Sequence, residues 1–84
     1  MEKNIQCLLL KSNQVLVAEI EEVMADIGEP DCRIINPYLL DKNGELSLWI
    51  DFSDQSNIMI RSDDVLTFVN PNKKVLNSYL EKVK

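Results

Sequence analysis

The 84 residues make one small domain with a thin core, because a chain of this size buries only about 60 to 65% of its unfolded surface. A hydrophobic fraction of 45% with dispersed charges excludes intrinsic disorder, and no run approaches the ~18 apolar residues of a membrane helix. The net charge of -5 opposes a phosphate backbone, and the lack of any histidine removes the commonest general base and metal ligand.

The opening, Met1-Glu2-Lys3-Asn4, lacks the charged-then-apolar layout of a signal peptide, so the expected location is the cytoplasm. Residues 6 to 11 form a short apolar run, and Ser12-Asn13-Gln14 supplies turn formers before the next run starts at Val15, which predicts a hairpin. From Leu16 to Glu21 the pattern alternates. Leu16, Ala18 and Ile20 fall on one face, and Val17, Glu19 and Glu21 on the other, as in a half-buried strand.

Val23 and Met24 break that phase, and residues 25 to 31, with a glycine, a proline and three acids, read as an acidic loop with room for one helical turn. A third strand over Cys32 to Asp41 contains Pro37, which donates no ladder hydrogen bond, so the strand is expected to bulge or bend there. Asp41-Lys42-Asn43-Gly44-Glu45 centres on Asn-Gly, the pair suited to the positive φ angles of a type I′ hairpin turn. Leu46, Leu48 and Ile50 alternate with Ser47, Trp49 and Asp51, after which residues 53 to 57 are a polar break.

Ile58-Met59-Ile60 and Val65 to Val69 are two β-prone runs, and the four residues between them, Arg61-Ser62-Asp63-Asp64, have the length of a tight hairpin. Asn70 as cap and Pro71 at the first position then start a helix over 71 to 83, with Val75, Leu76, Tyr79, Leu80 and Val83 in one apolar stripe. A helix this short must dock, on an open end of its own sheet or on a neighbouring subunit. The fold class expected is mainly β: a strongly bent antiparallel sheet of five or six strands, or small barrel, across residues 6 to 69, with a C-terminal helix.

No catalytic residue, metal site or cofactor is expected. Cys7 and Cys32 lie on separate strands without metal-like spacing and read as reduced, buried thiols. The acid pairs Glu21-Glu22 and Asp63-Asp64 sit side by side, and adjacent strand residues point to opposite faces, so solvated surface is the stronger reading. Trp49 lies opposite Leu46, Leu48 and Ile50 and reads as an interface residue. Arg61 presents a planar, five-donor fork from a rigid turn, and is equally suited to pair with Asp63 or Asp64. The body is acidic, with five Lys/Arg against thirteen Asp/Glu in residues 1 to 70, while residues 71 to 84 hold four lysines against Glu81.

Residues 60 to 68, Ile-Arg-Ser-Asp-Asp-Val-Leu-Thr-Phe, resemble the second Sm motif: aliphatic, Arg, Gly, two polar residues, Val, two variable residues and an aliphatic. Ser62 stands at the glycine and Phe68 at the last aliphatic. The chain as a whole is similar to small Sm-like proteins of marine cyanobacterial phages. The resemblance implies a five-stranded bent sheet and a homo-oligomeric ring, joined between Ile58, Met59 and Ile60 of one subunit and Val65, Leu66 and Phe68 of the next. It also implies single-stranded RNA at an inner rim, with Arg61 over a base and Asn36, in Cys32-Arg33-Ile34-Ile35-Asn36, reading its edge; the location would be the host cytoplasm if the chain is phage-encoded.

Three features depart from the Sm pattern. Cys32 stands where it has Asp, Ile34 where it has an aromatic, and the family helix is usually N-terminal. Base stacking contributes ~1 to 3 kcal/mol per base, so losing that platform weakens an RNA site. The expected function is therefore a non-enzymatic Sm-like ring binding single-stranded RNA or nucleotides in RNA metabolism. The alternative is a protein-interaction scaffold that engages a host protein through its acidic surface and Trp49.

Overall fold

A computed structural model describes residues 4–50 and 53–83. Its elements are β1 (Ile5–Leu10), β2 (Val15–Glu22), β3 (Cys32–Leu40), β4 (Leu46–Leu48), β5 (Asn57–Ile60), a 3-10 turn (Ser62–Asp64), β6 (Val65–Val69) and α1 (Lys73–Lys82). The expected mainly β architecture is present: one bent antiparallel sheet in the order β4-β3-β2-β1-β6, with β5 also on β3, and a C-terminal helix. The sheet is not closed into a barrel. Among the described residues no helix is long and apolar enough to cross a membrane. Asp51, at the end of the fourth expected strand, Met1 to Lys3 of the opening and Lys84 of the basic tail lie outside the described residues.

Both hairpins are three-residue loops. In the first, the Asn13 N–H donates to the Leu10 carbonyl (2.9 Å) and the Leu10 N–H to the Gln14 carbonyl (2.9 Å), with Asn13 itself at φ +71°. The second repeats this with Gly44 N–H to the Asp41 carbonyl (3.0 Å), Asp41 N–H to the Glu45 carbonyl (3.0 Å) and Gly44 at φ +82°. The type I′ expectation is corrected here, since Gly44 has a positive φ and Asn43 does not. The reason is Asp41, whose carboxylate accepts from the Asn43 N–H (2.8 Å) and the Glu45 N–H (2.9 Å) and fastens the wider loop.

The bend expected at Pro37 is a β-bulge. Tyr38 pairs with Val17 and Ile35 with Glu19, so Asn36 and Pro37 together oppose the single residue Ala18. Asn36 takes φ +53° to turn this corner. The bend divides β3: its first half pairs with β5 and its second with β4.

Alternation along the strands fills two clusters, one on each side of the sheet. Leu8, Leu10, Leu16, Ala18, Ile20, Cys32 and Ile34 form the first, with Trp49, Ile58, Ile60 and Val65 packed against them. Trp49, half-buried, packs against this first cluster of its own subunit. Cys7, Val17, Leu46 and Tyr79 form the second, with Ile5, Val15, Tyr38, Val75 and Val83 around them.

Helix α1 covers this second side and so docks on its own sheet. It starts at Lys73, not at Pro71, because Asn72 and not Asn70 is the cap: the Asn72 side chain accepts the Val75 N–H at 2.8 Å. Tyr79 anchors the helix, being buried to 2% exposure and donating its hydroxyl to the carbonyls of Ile35 (3.1 Å) and Asn36 (3.0 Å). Its ring meets Tyr38 edge-on, with centroids 6.0 Å apart.

The hairpin expected at Arg61 to Asp64 is also corrected. β5 and β6 are joined by the 3-10 turn but do not pair with each other, since β5 lies on β3 and β6 on β1. The turn carries the chain from one end of the bent sheet to the other. Each of these strands consequently keeps one ladder edge free among the described residues.

Candidate functional site at the Arg61 turn

The turn after β5 is held from two sides. The Ser62 N–H donates to one Asp31 carboxylate oxygen (2.8 Å), and the Ser62 hydroxyl donates to the other (2.7 Å). On the far side the Lys11 N–H donates to the Asp64 carbonyl (3.0 Å), while the Asp64 N–H closes the turn on the Arg61 carbonyl (3.0 Å). The Ser62 main-chain donor, then its hydroxyl, hold the Asp31 carboxyl below its ordinary range, so it remains ionised. Ser62 thus supplies both donors that lock the turn to the loop before β3.

Arg61 stands at the head of this turn with an extended backbone. Its guanidinium lies 3.7 Å from the Asp63 carboxylate, with the two side chains 51% and 78% exposed, so the pair is a loose surface contact. Around it, Asp26, Glu29, Asp31 and Asp63 line a cavity of about 290 Å³ with Ser62. Four carboxylates to one guanidinium favour a partner with positive or neutral chemistry over a polyanion. A larger neighbouring cavity of about 460 Å³ shares Asp31 and Ser62 and is lined by Gln6, Glu22, Cys32 and Phe68.

Burial raises the Cys32 thiol above its ordinary value, reinforced by Asp31 and Glu22, and burial alone raises Cys7, so neither is held as a thiolate nucleophile. Among the described residues no cluster of three or more metal-binding side chains exists. Glu21 is committed to its cross-strand partner Arg33 at 3.1 Å.

A family model described as a family of unknown function (DUF6561) matches residues 3–84. The chain belongs to DUF6561. No curated protein matches it.

The structure separates the two residues expected to bind RNA in this DUF6561 chain. Ile60 pairs with Cys32 and Asn57 with Ile35, so Arg61 lies beyond the start of β3 while Asn36 lies about 13 Å along that strand. Asn36 is also occupied at its main chain: its N–H donates to the Ser56 carbonyl (2.7 Å) and its carbonyl receives the Tyr79 hydroxyl. It lines a different cavity, of about 220 Å³, with Pro37, Tyr38 and Gln55. Within one subunit, Arg61 and Asn36 share no site.

The six residues expected at a subunit joint divide by direction. Ile58, Ile60 and Val65 pack on the subunit's own first cluster. Met59, Leu66 and Phe68 are exposed, and so is Val69, which sequence periodicity did not single out. The Asp31–Ser62 link was likewise not visible beforehand, because its partners lie 31 positions apart and no local pattern joins them.

Proposed function

We propose that the protein is a non-enzymatic, Sm-like assembly module whose copies join edge to edge, β5 of one to β6 of the next, and close into a ring. One observation carries this reading. Among the described residues both strands keep an unpaired ladder edge and carry exposed apolar side chains, Met59 on β5 and Leu66, Phe68 and Val69 on β6. Open apolar edges are a standing hazard for a monomer, and pairing them continues the sheet from subunit to subunit while burying the exposed side chains. A repeated head-to-tail contact of this kind closes when its rotation divides a full turn.

The ligand in this proposal is single-stranded RNA or a nucleotide contacting Arg61, a reading supported by the likeness of residues 60 to 68 to the second Sm motif and opposed by the four carboxylates around that side chain. A ring repeats the Arg61 turn once per subunit, so contacts that are individually weak add along one strand. The acids around Arg61 favour a second reading, in which the ring is a scaffold for a protein partner with basic chemistry.

Native mass measurement tests the assembly. The wild-type chain is expected as a single closed multiple of its 9.7 kDa subunit, and Phe68→Lys is expected to reduce it to smaller species. A wild-type monomer at micromolar concentration would end the ring proposal. Fluorescence anisotropy with uridine-rich and adenine-rich oligonucleotides separates the two ligand readings. Salt-sensitive binding that Arg61→Ala removes supports RNA, and no binding at low salt leaves the scaffold.

A further inference from the structure

Of the eight asparagines, Asn43 alone is followed by glycine. That pair has a chemistry of its own, because a main-chain nitrogen with no Cβ crowding it can attack the side-chain carbonyl carbon of the preceding asparagine and close a five-membered ring. Asn36 and Asn70 cannot do this, since they precede prolines, whose nitrogen has no proton to give up. Asn77 lies inside α1, where the helical ladder occupies the next N–H. Asn43 stands on the exposed loop between β3 and β4, and its hydrogen bond to Asp41 uses the main-chain N–H, which leaves the side-chain amide uncommitted.

Three contacts restrain the attacking nitrogen. The Gly44 N–H donates to the Asp41 carbonyl (3.0 Å), and the Asp41 carboxylate accepts the N–H groups on either side of it, from Asn43 (2.8 Å) and Glu45 (2.9 Å). The nitrogen must shed its proton to attack, and a carboxylate fixed beside it disfavours the resulting anion. The loop therefore has to open before the ring can close, and Asp41 sets how often it opens.

We infer that Asn43 is a self-acting modification site, timed by Asp41 and coupled to the edge strand β4. Hydroxide takes the Gly44 amide proton, the nitrogen bonds to the Asn43 Cγ, the Cγ–Nδ2 bond breaks, and ammonia leaves with a proton from water. Water then opens the succinimide at either carbonyl to give aspartate or isoaspartate, with nothing oxidised or reduced. Either product adds a negative charge to a loop that already holds Asp41 and Glu45. In isoaspartate the main chain runs through the side-chain carbon and gains one atom, which a three-residue loop has no slack to absorb. Among the described residues β4 is an outermost strand paired only to β3, and its buried Leu46 belongs to the cluster under α1, so the extra atom loosens β4 over Leu46 to Leu48.

Peptide mass mapping of the full chain, incubated at mildly alkaline pH in heavy-oxygen water, tests this, since ring opening writes the label into the new carboxylate. Asn43 is expected to convert first of the eight asparagines in urea and slowly in the folded wild type. Loss of hydrogen bonds to a charged group should make conversion in folded Asp41→Ala about tenfold or more faster than in the folded wild type. Asp41→Asn keeps an acceptor oxygen without the charge and is expected to fall between the two; it decides the point if circular dichroism shows Asp41→Ala unfolded. Conversion at Asn43 no faster than at Asn13 in urea overturns the site, and a folded Asp41 variant that converts at the wild-type rate overturns its timing. Amide exchange over Leu46 to Leu48 is expected to rise in the isoaspartyl form, separated by chromatography, and not in Asn43→Asp, which adds the charge alone. Equal exchange in those two forms overturns the coupling to β4.

Discussion

Replacing Tyr79 with phenylalanine isolates the hydroxyl that ties α1 to the bulge in β3. The ring stays, so its edge-on contact with Tyr38 and its burial are retained, while the main-chain carbonyls of Ile35 and Asn36 lose a donor. One proton shared between two carbonyls counts as a single neutral hydrogen bond, about 1 kcal/mol, and leaving a part-buried acceptor without a donor brings the cost to roughly 1 to 2 kcal/mol. For a domain of this size that is a fall of roughly 5 to 15 °C in Tm. Thermal and urea unfolding followed by Trp49 fluorescence would report it, since Trp49 packs on the opposite side of the sheet from the mutation.

Alkaline pH supplies a second readout of the same group. Burial pushes the Tyr79 phenol from 10.0 up to about 12, so above pH 10 the unfolded chain loses a proton that the folded chain keeps. The contribution is complete below pH 10 and disappears as pH rises through about 12, a decline on the order of 2 kcal/mol. Tyr79→Phe should lack that decline and converge on the wild type at high pH. Stability within about 0.3 kcal/mol of wild type at pH 7, or a parallel alkaline decline, would refute the role given to this hydroxyl.

Other outcomes follow from the local chemistry. Gly44→Ala should cost about 1 kcal/mol in urea unfolding, purely from the backbone, because φ is +82° and an added Cβ meets nothing within 4 Å. Asn72→Ala removes the cap on the Val75 N–H and should lower stability by about 1 kcal/mol, whereas Asn70→Ala should be neutral. For Asp31, whose carboxyl is held below 3.8 by Ser62, the stabilising contribution is present above that value and is lost as pH falls through the lowered one. The Ser62 amide proton resonance should therefore move only at acid pH, and Asp31→Ala should abolish that movement.

Much of the β framework was legible before the structure, and for local reasons. Leu16, Ala18 and Ile20 alternate because they fill one cluster, and Val17 fills the other under α1. Pro37 announced the bulge, Asn43-Gly44 the hairpin, and the stripe through Val75, Tyr79 and Val83 the helix face. Each of these signals is carried by neighbours in sequence, where period and turn chemistry act directly.

Partner choice between distant segments was not legible. Arg61 to Asp64 has a length that fits a hairpin, yet Ile60 pairs with Cys32 and Phe68 with Leu8, because the bent sheet offers β5 and β6 two different edges. The side-chain oxygen of Asn72, rather than Asn70, accepts the free N–H of Val75 in the first turn, and that geometry sets the helix start at Lys73. Asn36 lies apart from Arg61 because the pairing of Ile60 with Cys32 and of Asn57 with Ile35 puts the two at opposite ends of the β3–β5 ladder. The sequence by itself determined a small β domain with a docking helix and an acidic body. Only the tertiary structure decided which edges stay open, where Trp49 lies, and that the helix covers its own sheet, since those outcomes depend on how the whole chain closes around its core.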